Sequence, residues 1–311
     1  MQSPPTKTLL VILGPTAVGK TALSIQLARH YGTSILSADS RQFFKEMNIG
    51  TAKPNKTELA SVAHYFVDFL SIHDSYDAAT FETEALTILE KLFKEKDLVI
   101  LSGGSGMYAD ALCKGFDEMP ETNPAIRENL NNLYKEKGIR HLQELLEKHD
   151  PVYYRQVDLN NPQRIIRGLE VFFSTNKPFS DFRKKGIKAR PFKIIYIGLS
   201  RDKEELYQRI NLRVENMMNQ GLLEEVKGLL PYFHLNALQT VGYREFFDYF
   251  QAKANMETVV EKIAQNTRRY AKRQMTWFRK NKEIKWFHPD AGQEIIQYVN
   301  RVIESEDIQP I

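Results

Sequence analysis

The eight residues GPTAVGKT, Gly14 to Thr21, constrain this chain more than any other stretch. They fit the pattern G-x-x-x-x-G-K-[ST], in which glycines let the backbone curl until several N–H groups face one oxyanion. The helix that follows adds the positive end of its dipole, Lys20 adds a mobile charge, and Thr21 offers a hydroxyl to Mg²⁺. Gly14, Pro15, Thr16, Ala17, Val18, Gly19, Lys20 and Thr21 are therefore the expected phosphate-binding set, with Thr21 as the metal ligand. The pattern alone turns up by chance in unrelated sequences, and its context makes it specific. Here it follows the apolar run TLLVIL (8–13) and opens KTALSIQLARHYG, a helical pattern that ends at Gly32.

Further apolar runs suit strands: SILSA (34–38), HYFVDFLS, DLVILS (97–102) and FKIIYIGLS (192–200). Helical patterns separate them, AATFETEALTILEKLFKEK being the clearest. Strands that are continuously apolar and alternate with helices predict a parallel sheet covered on both faces. From Phe116 to about Arg190 the pattern changes to polar helices without a buried strand, with helices expected at 125–136, 139–148 and 162–174. Asn161 is the expected cap of the last, with Pro162 at its first position. The strand at 192–200 and a helix capped by Asp202 then resume the core, and 258–280 reads as one long helix. The expected architecture is thus an α/β, P-loop NTPase-like core with a parallel sheet flanked by helices (1–115 and 191–311), plus an inserted all-helical domain (116–190).

Composition bounds the partners. A single cysteine, Cys113, excludes an internal disulfide and a zinc module built on several thiols. No apolar run is long enough to cross a bilayer and MQSPPTKTLLVILG lacks a signal-peptide pattern, so a cytoplasmic protein without membrane contact is expected. Charge is uneven. Residues 1–100 carry 10 Lys/Arg against 11 Asp/Glu, a balance of −1, whereas 241–285 carry 11 against 5, a balance of +6. RKKGIKARPFK (183–193) has six basic residues and no acidic one. Solvated helix faces are often basic, and two separated basic patches behind a neutral front raise the case for a polyanionic partner.

An acid is missing where a phosphoryl-transfer enzyme of this class would need one. An Asp that helps to hold Mg²⁺ normally closes a later apolar strand, yet DLVIL runs into SGGSG. The acid stands instead at Asp39, after the second strand, where side chains face the ligand crevice of a parallel sheet. From the residues alone, Asp39 is either a capping or metal-orienting carboxylate or a base aimed at an acceptor.

Six segments taken together, GPTAVGKT, SADSRQFFKEMNIGTAKP, GGSGMYADAL, NNPQRIIRGLEV, QTVGYREF and TRRYAKRQMTWFR, resemble the tRNA dimethylallyltransferases (isopentenyl-tRNA transferases) in order and spacing from residue 14 to 279. Departures are small: Val18 for the usual Ser, Phe44 for a common Tyr, Tyr65 for a common second His, and Ser105 for Thr, which keeps the hydroxyl. The resemblance implies transfer of a dimethylallyl group from dimethylallyl diphosphate to N6 of adenine 37 in the anticodon stem-loop of tRNA. The phosphate loop would then hold the diphosphate of a leaving group, and nothing is phosphorylated. Asp39 would take the amine proton, while Lys20, Thr21 with Mg²⁺, and Arg244 of GYRE would stabilise the departing diphosphate. By the same resemblance Asp39, Ser40, Arg41 and Gln42 contact the flipped nucleotide. Gln163, Arg164, Ile165, Ile166 and Arg167 contact the anticodon loop, with Ser105 and Arg127 as further tRNA contacts. The insertion is expected to close over the RNA, leaving a channel for the donor, and the enzyme is expected to be a monomer.

The segment 267–282 interleaves basic residues with Tyr270, Trp277 and Phe278, and seven- and eight-residue spacing predicts a core stripe for these aromatics. Arg268, Arg269, Lys272 and Arg273 are expected nearer ligand or RNA. Two rival readings remain: a prenyltransferase acting on free AMP or ADP, against which the insertion and basic tail argue, and a P-loop RNA-binding switch without prenyl transfer.

Overall fold

The computed structural model describes residues 7–183 and 186–305; Lys184 and Lys185 of the basic stretch lie outside the described residues. Its centre is a six-stranded, fully parallel sheet. The strands are β1 (Thr8–Leu13), β2 (Ile35–Ser37), β3 (His64–Tyr65), β4 (Leu98–Gly103), β5 (Lys193–Leu199) and β6 (Lys285–Phe287), in the order β3-β2-β4-β1-β5-β6. Every residue of β1 is buried, as a central parallel strand requires. Leu10 pairs with Ile100 on one side and Ile195 on the other, and Ile12 and Ile197 join the same core as Leu27, Ile210 and Ile295 from flanking helices.

The chain divides into two compact units, Met1–Lys114 with Ala189–Ile311, and Gly115–Lys188. In the second unit, helices Pro124–His149 and Pro162–Thr175 enclose Leu130, Leu142, Leu146, Ile165, Ile166 and Leu169. The first helix is broken at Gly138, whose φ of 75° is open to glycine without strain, so two helical stretches run on with a kink between them. Asn161 caps the second helix by accepting from Arg164 N at 3.2 Å, and Pro162 follows it at the first position. Among the described residues no helix is long and apolar enough to cross a membrane.

Some local expectations are corrected. HYFVDFLS yields only two strand residues, because Phe66 and Asp68 have φ of 64° and 56° and turn the chain away. Asp202 stands at the N-cap position of helix Lys203–Asn219, but its side chain makes no capping hydrogen bond. Strand β6 and helix Gly292–Glu304 are additions that the sequence patterns did not single out.

The sheet order places the functional loops together. With β2, β4 and β1 adjacent and parallel, the turns after Ser37, Gly103 and Leu13 emerge on one edge. The SGGSG turn is shaped for that crowding. A Cβ on Gly103 would lie 2.2 Å from the Ala38 carbonyl oxygen, and one on Gly104 would lie 2.4 Å from Gln274 Nε2. Gly103→Ala should therefore destabilise the core by about 1–3 kcal/mol, the usual cost of overpacking. Urea unfolding reads this as a lowered midpoint; an unchanged midpoint would contradict the tight β2–β4 approach.

Candidate active site

Residues Gly14 to Gly19 wrap the start of helix Lys20–Tyr31, with Gly19 at φ 116° and Ala17 at φ 64°. This left-handed geometry turns the loop around its own N–H groups and the helix N-terminus. The loop borders a cavity of about 590 Å³ whose walls come mainly from five places: the loop itself, Asp39, Arg41 and Gln42 with residues 49–55, helix Lys203–Asn219, residues 240–242, and helix Met256–Phe278.

Four cationic side chains converge on the loop. Lys20 Nζ donates to the carbonyls of Gly14 and Pro15, both at 2.9 Å. Arg213 Nη1 donates to Thr16 Oγ1 at 2.8 Å, Arg209 Nε to the Ala17 carbonyl at 2.9 Å, and Arg201 Nε to the Val18 carbonyl at 3.0 Å. Thr16 N donates to Gln274 Oε1 at 2.8 Å, while Gln274 Nε2 reaches the Gly104 carbonyl at 2.8 Å. Buried Gln274 thus ties the phosphate loop to the turn after β4. Thr21 and Asp39 border the same cavity.

Electrostatics mark the site as built for an anion. Burial lowers the Lys20 amine to about 8, against the raising effect of Asp39 and with a further lowering from Arg213. Burial also lowers Arg213, again opposed by Asp39. An anion entering here would restore the charge balance of crowded cations with one neighbouring carboxylate. Tyr270, raised to about 12 by burial first and then by Asp39, stands in the cavity wall with Ile263, Thr267 and Gln274. These four positions form one stripe of the long helix.

Of the residues singled out by sequence, the structure brings Gly19, Lys20, Thr21, Asp39, Arg41 and Gln42 to one cavity, with Thr16 and Ala17. Asp39 Oδ1 accepts from Arg41 N at 3.2 Å. Ser105 Oγ accepts from Ser40 N at 3.1 Å and lies 3.2 Å from Ser40 Oγ. Arg41 Nη1 donates to the carbonyls of Asn236 and Ala237 at 3.2 and 3.1 Å.

Arg244 is a correction. Its side chain is half exposed, its Nε lies 3.4 Å from Glu245 Oε1, and it is not among the residues bordering the cavity. Arg209 and Arg213, by contrast, donate to the loop and border the cavity. They were legible in principle: Glu205, Arg209 and Arg213 recur every four residues, one face of the helix that follows β5.

In the helical unit, Ile165 and Ile166 are also a correction: both are completely buried in that unit's core, so their side chains cannot touch RNA. Gln163 and Arg164 are exposed. Arg127 Nη1 and Arg167 Nη1 share Glu170 Oε2 at 2.9 and 3.1 Å, with Arg127 Nη2 3.4 Å from Gln163 Oε1. On the long helix, Phe278 is in the core as its spacing predicts, but Tyr270 faces the cavity and Trp277 is 39% exposed, its N–H donating to Asp110 Oδ2 at 2.8 Å. Arg269, Lys272, Arg273 and Lys280 surround Trp277 in a shallow basic depression, whereas Arg268 turns to Asn211.

Fold and site define a P-loop α/β protein with a carboxylate beside its cation-lined loop. A family model described as IPP transferase matches residues 42–281. The chain is 50% identical over 292 residues to tRNA dimethylallyltransferase 1 of Bacteroides thetaiotaomicron, covering 94% of this chain and 95% of that one. It superposes on the crystal structure of the tRNA isopentenylpyrophosphate transferase of Bacillus halodurans with a TM-score of 0.71 at 31% identity, covering 96% of this chain and 97% of that one. A eukaryotic dimethylallyltransferase acting on tRNA gives a TM-score of 0.80 at 26% identity, over 98% of this chain and 81% of that one. The chain belongs to the IPP transferase family.

The position of Lys20 has a consequence for pH. Below about 8 the amine already carries its charge; above it the free protein loses that charge and must take up a proton to hold an anion. Affinity for dimethylallyl diphosphate should therefore fall between pH 8 and 9, approaching about tenfold per pH unit. Calorimetry in buffers of different ionisation enthalpy should also show proton uptake. A flat affinity across that range would contradict the assignment.

Proposed function

We propose that this protein transfers the dimethylallyl group of dimethylallyl diphosphate to N6 of adenine 37 in the tRNA anticodon loop. The observation that carries this reading is the Asp39 carboxylate, the one that acts on Lys20 and Arg213, set beside a cation-lined phosphate loop in a single cavity. A cradle for a leaving diphosphate and a proton acceptor are the two things this substitution needs.

The adenine amine is a poor nucleophile because its lone pair is delocalised into the ring. As N6 bonds to the allylic carbon, the carbon–oxygen bond to diphosphate breaks and its electron pair leaves with the diphosphate. The displaced N6 proton goes to Asp39, a step worth roughly 10²–10⁴ in rate when the base is positioned. Charge grows on the departing diphosphate, where the loop N–H groups, Lys20 and Arg213 act; each fixed donor is worth roughly 10²–10³. Thr21 fits a Mg²⁺ site of the kind that takes one protein oxygen and completes its shell with phosphate oxygens and water. No cluster of three or more His, Cys, Asp or Glu gathers a metal among the described residues, and such a site does not need one. When bound, Mg²⁺ would neutralise diphosphate charge.

A single-stranded loop gives up a base more cheaply than a duplex does, and an extruded base is read at its edges. Ser40, Arg41, Gln42 and Ser105 are the groups assigned to that reading. In the helical unit Gln163, Arg164, Arg167 and Arg127 are assigned to the anticodon stem-loop, with Glu170 fixing the direction of two of the guanidinium groups.

Two outcomes test the assignment. Asp39→Ala should lower single-turnover prenyl transfer by about 10²–10⁴ while leaving tRNA affinity within a few-fold; intact turnover would remove Asp39 as the base. Neutralising Arg164 and Arg167 together should reduce the slope of log affinity against log salt by about 1–2, close to one for each phosphate left without its cation. An unaltered slope would put that helix face off the RNA.

A further inference from the structure

Residues 48–55 form one wall of the cavity without regular structure of their own. A wall built from turns needs something to hold it. Three successive N–H groups converge on one carboxylate: Glu225 Oε2 accepts from Asn48 N at 3.1 Å and Ile49 N at 2.8 Å, and Oε1 accepts from Gly50 N at 3.1 Å. The Tyr243 hydroxyl donates to Oε1 at 2.6 Å. Tyr243 is completely buried, and its ring lies so close that a Cβ on Gly50 would stand 2.5 Å from it. Glu225, on the short helix Leu222–Gly228, does not border the cavity itself.

The clasp leads onward. The next two residues present their carbonyls to Gln42: Nε2 donates to Thr51 at 3.4 Å and to Ala52 at 3.2 Å. Ala52 is held at φ 49°, a conformation that alanine adopts only when its surroundings impose it. Gln42 Oε1 lies 3.4 Å from Ser37 Oγ at the end of β2. One carboxylate therefore fixes three amides, the amides fix two carbonyls, and the carbonyls orient the side-chain amide of a residue that borders the cavity.

We propose that Glu225 is a positioning residue for the acceptor base: it acts through the 48–52 turn to set the orientation of Gln42, not by touching substrate. This rests on the prenyl-transfer reading above. Both carboxylate oxygens are essential to the device, because each accepts two of the four donors and a glutamine amide accepts at only one atom. A role confined to overall stability would not run through Gln42.

The test is a double-mutant cycle with Glu225→Gln and Gln42→Ala, read as single-turnover prenyl transfer to unmodified tRNA with saturating donor. In the parent background Glu225→Gln should slow transfer by about tenfold, the effect of one hydrogen bond to a charged group. In the Gln42→Ala background it should cost less than about twofold, since the path it acts through is gone. Donor affinity should stay within about twofold in both backgrounds, whereas general damage would weaken it in both. Equal losses in the two backgrounds, or no loss in either, would overturn the proposal. A parent protein that transfers no prenyl group would instead refute the reading of the activity. Amide hydrogen exchange reads the clasp independently of turnover: Ile49 and Gly50 should exchange at least about tenfold faster in Glu225→Gln, and unchanged exchange would overturn the clasp. Tyr243→Phe, which removes one donor of the four, should reproduce the transfer defect at smaller size; a Tyr243→Phe protein with no defect would count against it.

Discussion

The site depends on how the phosphate loop is held by its own neighbours. Its carbonyl oxygens at Gly14, Pro15, Ala17 and Val18 each accept from a cation, and Thr16 is fixed at its hydroxyl by Arg213 and at its N–H by Gln274. Each of these bonds ties the loop to a neighbouring side chain, so its curl is set by the protein's own cations and by Gln274. Such preorganisation is what allows fixed donors to act on charge as it develops, without reorganisation during the reaction. It also explains why helices Lys203–Asn219 and Met256–Phe278 belong to the active site although neither carries the phosphate motif.

The absence of an acid after β4 follows from the same crowding. Gly103 and Gly104 let the turn pass against Ala38 and Gln274 at distances no side chain would permit. The carboxylate is displaced one strand over, to Asp39, where it faces Lys20 and Arg213 and lies beside Tyr270 and Arg41. A phosphate loop paired with an acid at that place suits removal of a proton from an acceptor while an intact diphosphate is expelled. The same scaffold with its acid after β4 would suit holding a metal for phosphoryl transfer.

Much of this was legible in the sequence because it is local. The phosphate loop announces itself by glycine spacing, β1, β4 and β5 by apolar runs, and β2 by the short apolar pair in SILSA. Helix caps such as Asn161 were readable for the same reason. What stayed hidden depends on which way a helix faces. Arg213 and Arg244 are the same residue type, and only packing shows that one turns to the loop while the other pairs with Glu245. Tyr270 shared its spacing with a core stripe, but the stripe it belongs to, with Ile263, Thr267 and Gln274, walls a cavity. Ile165 and Ile166 sit between exposed and half-buried polar neighbours, so a contiguous motif spans both the solvent face and the core of one helix. Strand β6 is three residues at a sheet edge with an exposed lysine, too short for its pattern to rise above a loop.

The central claim is that the loop grips a diphosphate that leaves intact while Asp39 deprotonates an extruded adenine. Product balance tests it most directly: the protein, unmodified tRNA, dimethylallyl diphosphate and Mg²⁺ are incubated, and released phosphate species are measured beside nucleosides from digested tRNA. One intact diphosphate should appear for each adenine that gains a five-carbon group, and no orthophosphate. Orthophosphate released from ATP on addition of RNA, with the tRNA nucleosides unchanged, would contradict it.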